Sequence, residues 1–174
     1  MSFINVEIKA KCFHPKEVEA FLLNANAYFK GIDYQKDTYF NVANGRLKLR
    51  QGNIENNLIY YERSNTAEPK PSYFQLYPVN ESSVLLDMLS RAVGKKVVVE
   101  KKRKIYFIDN IKFHIDEVEG LGYFVEIEAS NLMHPTKTEA ELNEQCNYYM
   151  NALKINREDL IHVSYSDMLL LGEI

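Results

Sequence analysis

Charged side chains recur at every second position in five short stretches of this chain: Glu7-Ile8-Lys9-Ala10-Lys11, Arg46-Leu47-Lys48-Leu49-Arg50, Lys101-Lys102-Arg103, Asp116-Glu117-Val118-Glu119 and Glu126-Ile127-Glu128. Strand side chains alternate between the two faces of a sheet. In each stretch the spaced charges therefore share one face, while Ile8, Ala10, Leu47, Leu49 and Ile127 take the other. Such strands need an apolar surface on one side and a polar space on the other. A sheet that packs its apolar face outward on helices and curls its charged face around a closed or half-closed channel meets both needs. With cationic strands opposite acidic ones, that channel suits a polyphosphate and its metal ion.

The bulk numbers are compatible with this. At 174 residues and 46% hydrophobic content the chain is long enough for one compact domain, expected to span 1–174. A formal net charge of −3 excludes a generally basic, nucleic-acid-coating protein, so anion binding must come from local clustering of the 21 Lys and Arg. Cys12 and Cys146 stand far apart with no CxxC spacing and read as buried thiols in a reducing cytosol. With no basic leader and no uncharged apolar run long enough to span a bilayer, a cytoplasmic protein without nucleic-acid or membrane partners is expected.

Along the chain, a strand over about 4–13 ends at His14-Pro15, and Pro15 opens a helix with Val18, Phe21, Leu22, Ala25 and Phe29 near a 3.6-residue period. Gly31 is expected to close that helix. Strands follow at Tyr34–Val42 and Arg46–Gln51 around the Asn44-Gly45 turn, then at Leu58–Arg63 and, after a Pro-containing loop, Tyr73–Val79. The spacing predicts a helix over Glu81–Val93 and three antiparallel strands from Val97 to Ser130. A helix over Thr136–Leu153 and a short helical element capped by Asn156 complete the chain. The order is α+β with an antiparallel sheet.

Arg46, Lys48, Arg50, Lys101 and Arg103 are the candidate cations. Guanidinium forks and mobile ammonium groups converging on one cavity fit a chain of phosphates. A solvated sheet face is the competing reading for any single stretch. Register leaves a choice too, because a slip of one residue would replace Lys101 and Arg103 by Lys102 and Lys104. The acidic set is Glu7, Asp116, Glu117, Glu119, Glu126 and Glu128. A few of these converging would hold Mg²⁺, which takes one or two carboxylates plus phosphate and water. Glu126 and Glu128 are best placed to do so, or to set a carboxylate beside a reacting water. Cross-strand ion pairing with the basic strands is the alternative. His14, His114, His134 and His162 show no HxxH or HExxH spacing and read as ordinary surface or core histidines, so a transition-metal site is not expected. There is no GxGxxG, Walker loop, GxSxG or CxxC.

In order and content the motifs resemble the CYTH superfamily of triphosphate tunnel enzymes, which includes class IV adenylyl cyclases and thiamine triphosphatases. The pieces are Asn5-Val6-Glu7-Ile8-Lys9 at the ExExK signature, Gln35-Lys36-Asp37-Thr38-Tyr39-Phe40, Gly45-Arg46-Leu47-Lys48-Leu49-Arg50, the KxR of Lys101 and Arg103, and the run His114 to Glu128. The QxDTYF and GRLKLR pieces lean toward the cyclase-like branch. The resemblance implies an antiparallel eight-stranded barrel or tunnel with helices outside, Mg²⁺ or Mn²⁺ as cofactor, an organic triphosphate such as ATP or thiamine triphosphate as ligand, and a tendency to homodimers. By it, Arg46, Lys48, Arg50, Lys101 and Arg103 grip phosphate, with Lys11 and Arg63 as further substrate-binding candidates. Glu7, Asp116, Glu126 and Glu128 serve the metal. Lys9 sits by the reacting phosphate, with Glu126 and Glu128 as its catalytic companions. Two positions depart from the pattern: Asn5 stands for the first Glu of ExExK, and Tyr61 for a strand lysine, with Arg63 nearby.

Overall fold

A computed structural model describes residues 3–62, 70–71 and 73–172 of the chain. Its centre is an antiparallel sheet in the order β5-β1-β9-β8-β7-β2-β3-β4-β6. The strands are β1 (Asn5–Lys11), β2 (Tyr28–Phe40), β3 (Arg46–Gln51), β4 (Asn57–Glu62), β5 (Lys70–Pro71), β6 (Tyr73–Pro78), β7 (Lys95–Ile108), β8 (Ile111–Val118) and β9 (Gly122–Ser130). The eight expected strands are present, and β5 adds a two-residue piece. That piece explains the curl. β5 pairs with β1 while β6, next in the chain, pairs with β4, so consecutive residues reach both ends of the strand order and draw the sheet around on itself.

Helices α1 (Pro15–Asn24), α2 (Ser82–Ala92), α3 (Glu139–Ala152) and α4 (Tyr165–Leu171) complete the fold. The outward residues of β1, Val6, Ile8 and Ala10, join Phe113, Ile115, Val125 and Ile127 in an apolar layer. Val18 and Leu22 of α1 and Leu142, Cys146 and Met150 of α3 cover that layer. Truncating one of these side chains, such as the fully buried Leu22, costs roughly 2–5 kcal/mol. Thr138 caps α3 through a reciprocal pair with Glu141.

A second apolar cluster lies inside the curl, where Tyr39, Ile59, Tyr61, Val99, Val118 and Phe124 meet Tyr165 and Met168 of α4. Tyr39, Tyr61, Val118 and Phe124 lie near one end of their strands, so α4 plugs that end of the tunnel. Two ties hold it there: the Ile161 N–H donates to the Lys9 carbonyl (2.8 Å), and Arg46 pairs with Asp167 at 2.6 Å.

Two expectations change. Gly31 does not close α1; the helix ends at Asn24, and Asn26 makes the turn in the left-handed region at φ 55°. Gly31 lies instead at a bulge in β2, at φ 140°, and β2 starts six residues earlier than Tyr34. The Asn156 element is a single 3₁₀ turn, Arg157–Asp159, without a side-chain cap to the backbone. The helix that shapes the tunnel is α4, capped by Ser164 and Asp167.

Candidate active site

The charged faces of the strands converge as their alternation requires. Lys9, Asp37, Arg50, Lys101, Arg103 and Glu126 are all buried, yet all line a cavity of about 390 Å³ inside the curl. Register settles the choice in the Lys101–Lys104 run. Lys101 and Arg103 point inward, while Lys104 on the outer face meets Glu19 of α1 at 2.8 Å.

One wall, formed by β2, β3 and β7, is organised by Asp37. Its carboxylate accepts from Arg50 (2.9 and 2.8 Å), Lys101 (2.8 Å) and Lys48 (3.1 Å). Burial would raise the Asp37 pKa, but Arg50, Lys101 and Lys48 outweigh it and hold the carboxyl well below its usual range. Three cations on one carboxylate leave positive charge in excess. Lys101 bears the consequence: burial, only partly offset by Asp37, brings its pKa down to about 7.

Glu55 reaches in from the turn after β3 and pairs with Arg50 (2.9 Å) and Lys112 of β8 (2.6 Å). Asp33 aims that turn by accepting from the Ile54 and Glu55 N–H groups. Gly52 makes the approach possible, because a Cβ there would lie 2.5 Å from the Asp33 carboxylate.

The opposite wall, β1, β8 and β9, is rich in carboxylates. Glu7 and Glu128 stand directly across from each other on neighbouring strands, and Lys9 faces Glu126 in the next inward pair. Like charges so placed repel unless a cation lies between them. Lys9 Nζ is 3.2 Å from Glu126 and 3.9 Å from Glu7. Glu126 also accepts from Arg103 at 2.7 Å; burial opposes its ionisation, but Arg103 and Lys9 keep it well below the usual carboxylate range. His114 Nδ1 lies 3.0 Å from Glu126 and 3.7 Å from Glu128. One ligand atom from each of His114, Glu126 and Glu128 lies within 4.8 Å of the others, and Glu7 lines the cavity opposite Glu128, an oxygen-rich surrounding that suits a divalent cation.

Other residues singled out by the sequence stand off the cavity. Asp116 shares the inward face of β8 but is engaged beneath the cavity floor by the Arg103 fork (2.7 and 2.5 Å) and the Tyr165 hydroxyl (2.9 Å), so its carboxylate positions Arg103. Arg46 ties down α4, Lys11 lies exposed at the end of β1, and Arg63 falls outside the described residues. Glu117 and Glu119 are exposed. Asn5 lines the cavity where the motif has a carboxylate, and Tyr61 joins the inner apolar cluster beside Lys48.

Sequence reasoning passed over Asp37, Glu55, Lys112, His114 and Tyr165. The two-residue spacing of Gln35, Asp37 and Tyr39 carried a signal for Asp37, and Ser164-x-x-Asp167 carried one for the helix that brings in Tyr165. His114, read as ordinary, proves fully buried among the carboxylates because β8 pairs it with Glu126. The Tyr165 ring lies 4.3 Å under Lys9 Nζ, a cation–π contact at the tunnel floor.

Comparison with known proteins agrees with this architecture. A "Putative adenylate cyclase" of Methanocaldococcus jannaschii is 26% identical over 95% of this chain and 98% of its own length. The fold matches that of a Pyrococcus horikoshii OT3 protein with TM-score 0.82, at 23% identity over 94% of this chain and 98% of that one. It also matches the Schizosaccharomyces pombe Pct1 RNA triphosphatase with TM-score 0.52, at 12% identity over 91% and 85% of the two chains. The CYTH domain model matches residues 4–165, and the chain therefore belongs to the CYTH family.

Proposed function

We propose that this protein binds an organic triphosphate with Mg²⁺ or Mn²⁺ in its tunnel and acts as a class IV adenylyl cyclase-like enzyme, converting ATP to cyclic AMP and pyrophosphate. The observation that carries the reading is the opposition of the two walls: Lys48, Arg50 and Lys101 share one carboxylate, while Glu7 and Glu128 face each other without an intervening strand. One wall carries more cations than its Asp37 and Glu55 neutralise and the other more carboxylates than Lys9 and Lys112 neutralise, which is the complement of a metal–triphosphate complex. An organic rather than inorganic ligand is favoured by the open mouth, where Phe3, Leu76, Phe107, Leu132 and Met133 line the cavity and Met133 is 79% exposed. Inorganic triphosphate would leave that rim unused.

In this reading Arg50, Lys48, Lys101 and Arg103 hold the phosphates and stabilise the charge that builds on the leaving pyrophosphate. The ribose 3′-oxygen forms its bond to the α-phosphorus as the bond to the β-phosphate oxygen breaks. Lys9 lies beside the reacting phosphate, and Glu128, more open than Glu126, takes the 3′-hydroxyl proton. Glu7, Glu126 and Glu128 would hold the divalent ion, which supplies neutralising charge and orients the triphosphate. Asp116 acts through Arg103. The same reading places the protein in the cytoplasm, as a homodimer.

The fold it shares with Pct1 supports a second reading, in which water attacks the terminal phosphorus and Glu126 or Glu128 orients it. Asn5 and Tyr61, replacing charged residues, support a third, binding with weakened catalysis. Incubation with ATP, thiamine triphosphate and inorganic triphosphate, each with Mg²⁺ and with Mn²⁺, separates the three by product. Cyclic AMP with pyrophosphate supports the cyclase. Phosphate release supports the hydrolase, and tight binding without turnover the third. Absence of binding to all three ligands rejects the tunnel reading. If the missing carboxylate limits catalysis, Asn5→Glu raises metal-dependent turnover; an unchanged rate removes that explanation.

A further inference from the structure

Glu55 differs from the other carboxylates of the tunnel. Glu7, Asp37, Glu126 and Glu128 stand on strands, where the pleat fixes their direction. Glu55 enters the cavity from the turn 52–56 between β3 and β4. One of its oxygens lies 2.9 Å from Arg50 Nη1 on β3 and the other 2.6 Å from Lys112 Nζ on β8. A single carboxylate thus joins a cation of one wall to a cation of the other.

Both cations turn toward Glu55 the donors a ligand would need. Asp37 accepts from Arg50 Nε and Nη2, so Nη1 is the arm left to reach an anion in the cavity, and Glu55 takes it. Lys112 lines the cavity near the Phe107 ring, and Glu55 is its ion-pair partner among the described residues. Such separations suit charge-assisted bonds to phosphate oxygens as well as to carboxylate oxygens.

The backbone of the turn is fixed independently of the Glu55 carboxylate. Asp33 accepts from the Ile54 and Glu55 N–H groups at 2.8 and 3.1 Å. The Asn56 side chain closes the turn on Gly52 through bonds of 3.2 and 2.7 Å. Rotation of the Glu55 side chain leaves these four bonds intact. It gives up the two ion pairs and a 3.2 Å bond from Gln35, and phosphate oxygens can replace the ion pairs.

We propose that Glu55 is a tethered stand-in for phosphate: its carboxylate holds an anion subsite between Arg50 and Lys112 until a phosphate group of the ligand displaces it, and Lys112 then joins the phosphate-binding cations. The inference rests on the reading that the tunnel binds a triphosphate. Glu55 stabilises the ligand-free protein by supplying counter-charge to two partly buried cations. It also sets affinity by competition, because the ion pairs must open before the subsite can bind.

The test is calorimetry with inorganic triphosphate on the unaltered protein and on Glu55→Gln, with thermal melting as the check on folding. Removing the tethered charge is expected to tighten binding by roughly 10-fold. Adding Lys112→Met to Glu55→Gln should reverse that gain. A carboxylate that only positions Arg50 and Lys112 has the opposite sign, since its loss weakens binding. Unchanged or weaker binding in Glu55→Gln, with the unaltered protein still binding, overturns the inference and leaves the tunnel reading standing. Should Glu55→Gln fail to fold, a crystal structure of the unaltered protein with inorganic triphosphate decides. Phosphate oxygens on Arg50 Nη1 and Lys112 Nζ, with Glu55 rotated away, support the inference; Glu55 still paired with both overturns it. If neither the unaltered protein nor the variant binds triphosphate, this inference and the reading beneath it both fall.

Discussion

The two walls of the tunnel solve the problem of buried charge in different ways. On the β2–β3–β7 wall, Asp37 gathers Lys48, Arg50 and Lys101 onto one carboxylate. On the β1–β8–β9 wall, Glu7, Glu126 and Glu128 converge around Lys9 and a neutral histidine, and Arg103 bridges toward them from β7. A charge buried without a partner is costly, so each wall carries just enough counter-charge to fold and leaves a residue of one sign. That residue is what a ligand can use. The comparison teaches that affinity for an anion and affinity for a cation are separable here, wall by wall.

The largest effect should come from removing the organiser of the cationic wall. Asp37→Asn leaves three cations facing each other and is expected to cost about 3–5 kcal/mol of stability. Added inorganic triphosphate should restore much of the loss, and thermal melting with and without it checks this. A variant that melts normally, or that triphosphate does not rescue, breaks the picture of a wall waiting for anions.

Next in size is the separation of the walls. Arg50→Ala should weaken triphosphate binding by roughly 10- to 150-fold, the worth of a charge-assisted hydrogen bond, and leave Mn²⁺ binding nearly intact. Glu128→Gln should do the reverse, and calorimetry on both variants with both ligands is the measurement. If each variant weakens both ligands equally, the walls are not independent.

A smaller, pH-dependent effect follows from Lys101, whose folded pKa of about 7 lies below its ordinary 10.5. Between those values the unfolded chain holds the proton and the folded one does not, so stability rises with pH across that window. Phosphate oxygens favour the ammonium, and triphosphate binding at about pH 8 should take up a proton. Calorimetry in buffers of different ionisation enthalpy reads that uptake, and Lys101→Met should abolish it. The smallest effect is expected from Lys102→Ala on the outer face, within about 0.5 kcal/mol of stability and with triphosphate binding unchanged. A large loss there would mean that the register places the wrong lysines in the tunnel.

Much of this was legible in the chain. The period-two charges marked Glu7, Lys9, Lys48, Arg50, Lys101, Arg103, Glu126 and Glu128 as one face, and all eight line the cavity. Alternation is a local property, and a strand of six residues states it completely. His114 and Lys112 lie on the same face of β8, but nothing near them in sequence tells that Glu126 and Glu55 will be their neighbours. Glu55 comes from a turn whose aim depends on Asp33, some twenty residues earlier. Asp116 shows the converse: its spacing puts it on the inward face, yet the Arg103 fork and Tyr165 engage it beneath the cavity floor.

By itself, then, the sequence determined which side chains are polar-facing and which pack outward, because side-chain direction in a strand is settled within a few residues. The tertiary structure decided which of those charges neutralise one another and which remain for a ligand. That depends on strand order, on the join of β5 and β6 that curls the sheet, and on α4 closing one end. Each of these is a contact between distant parts of the chain, and electrostatic energy in a buried cavity turns on separations of a few ångströms that no local pattern encodes.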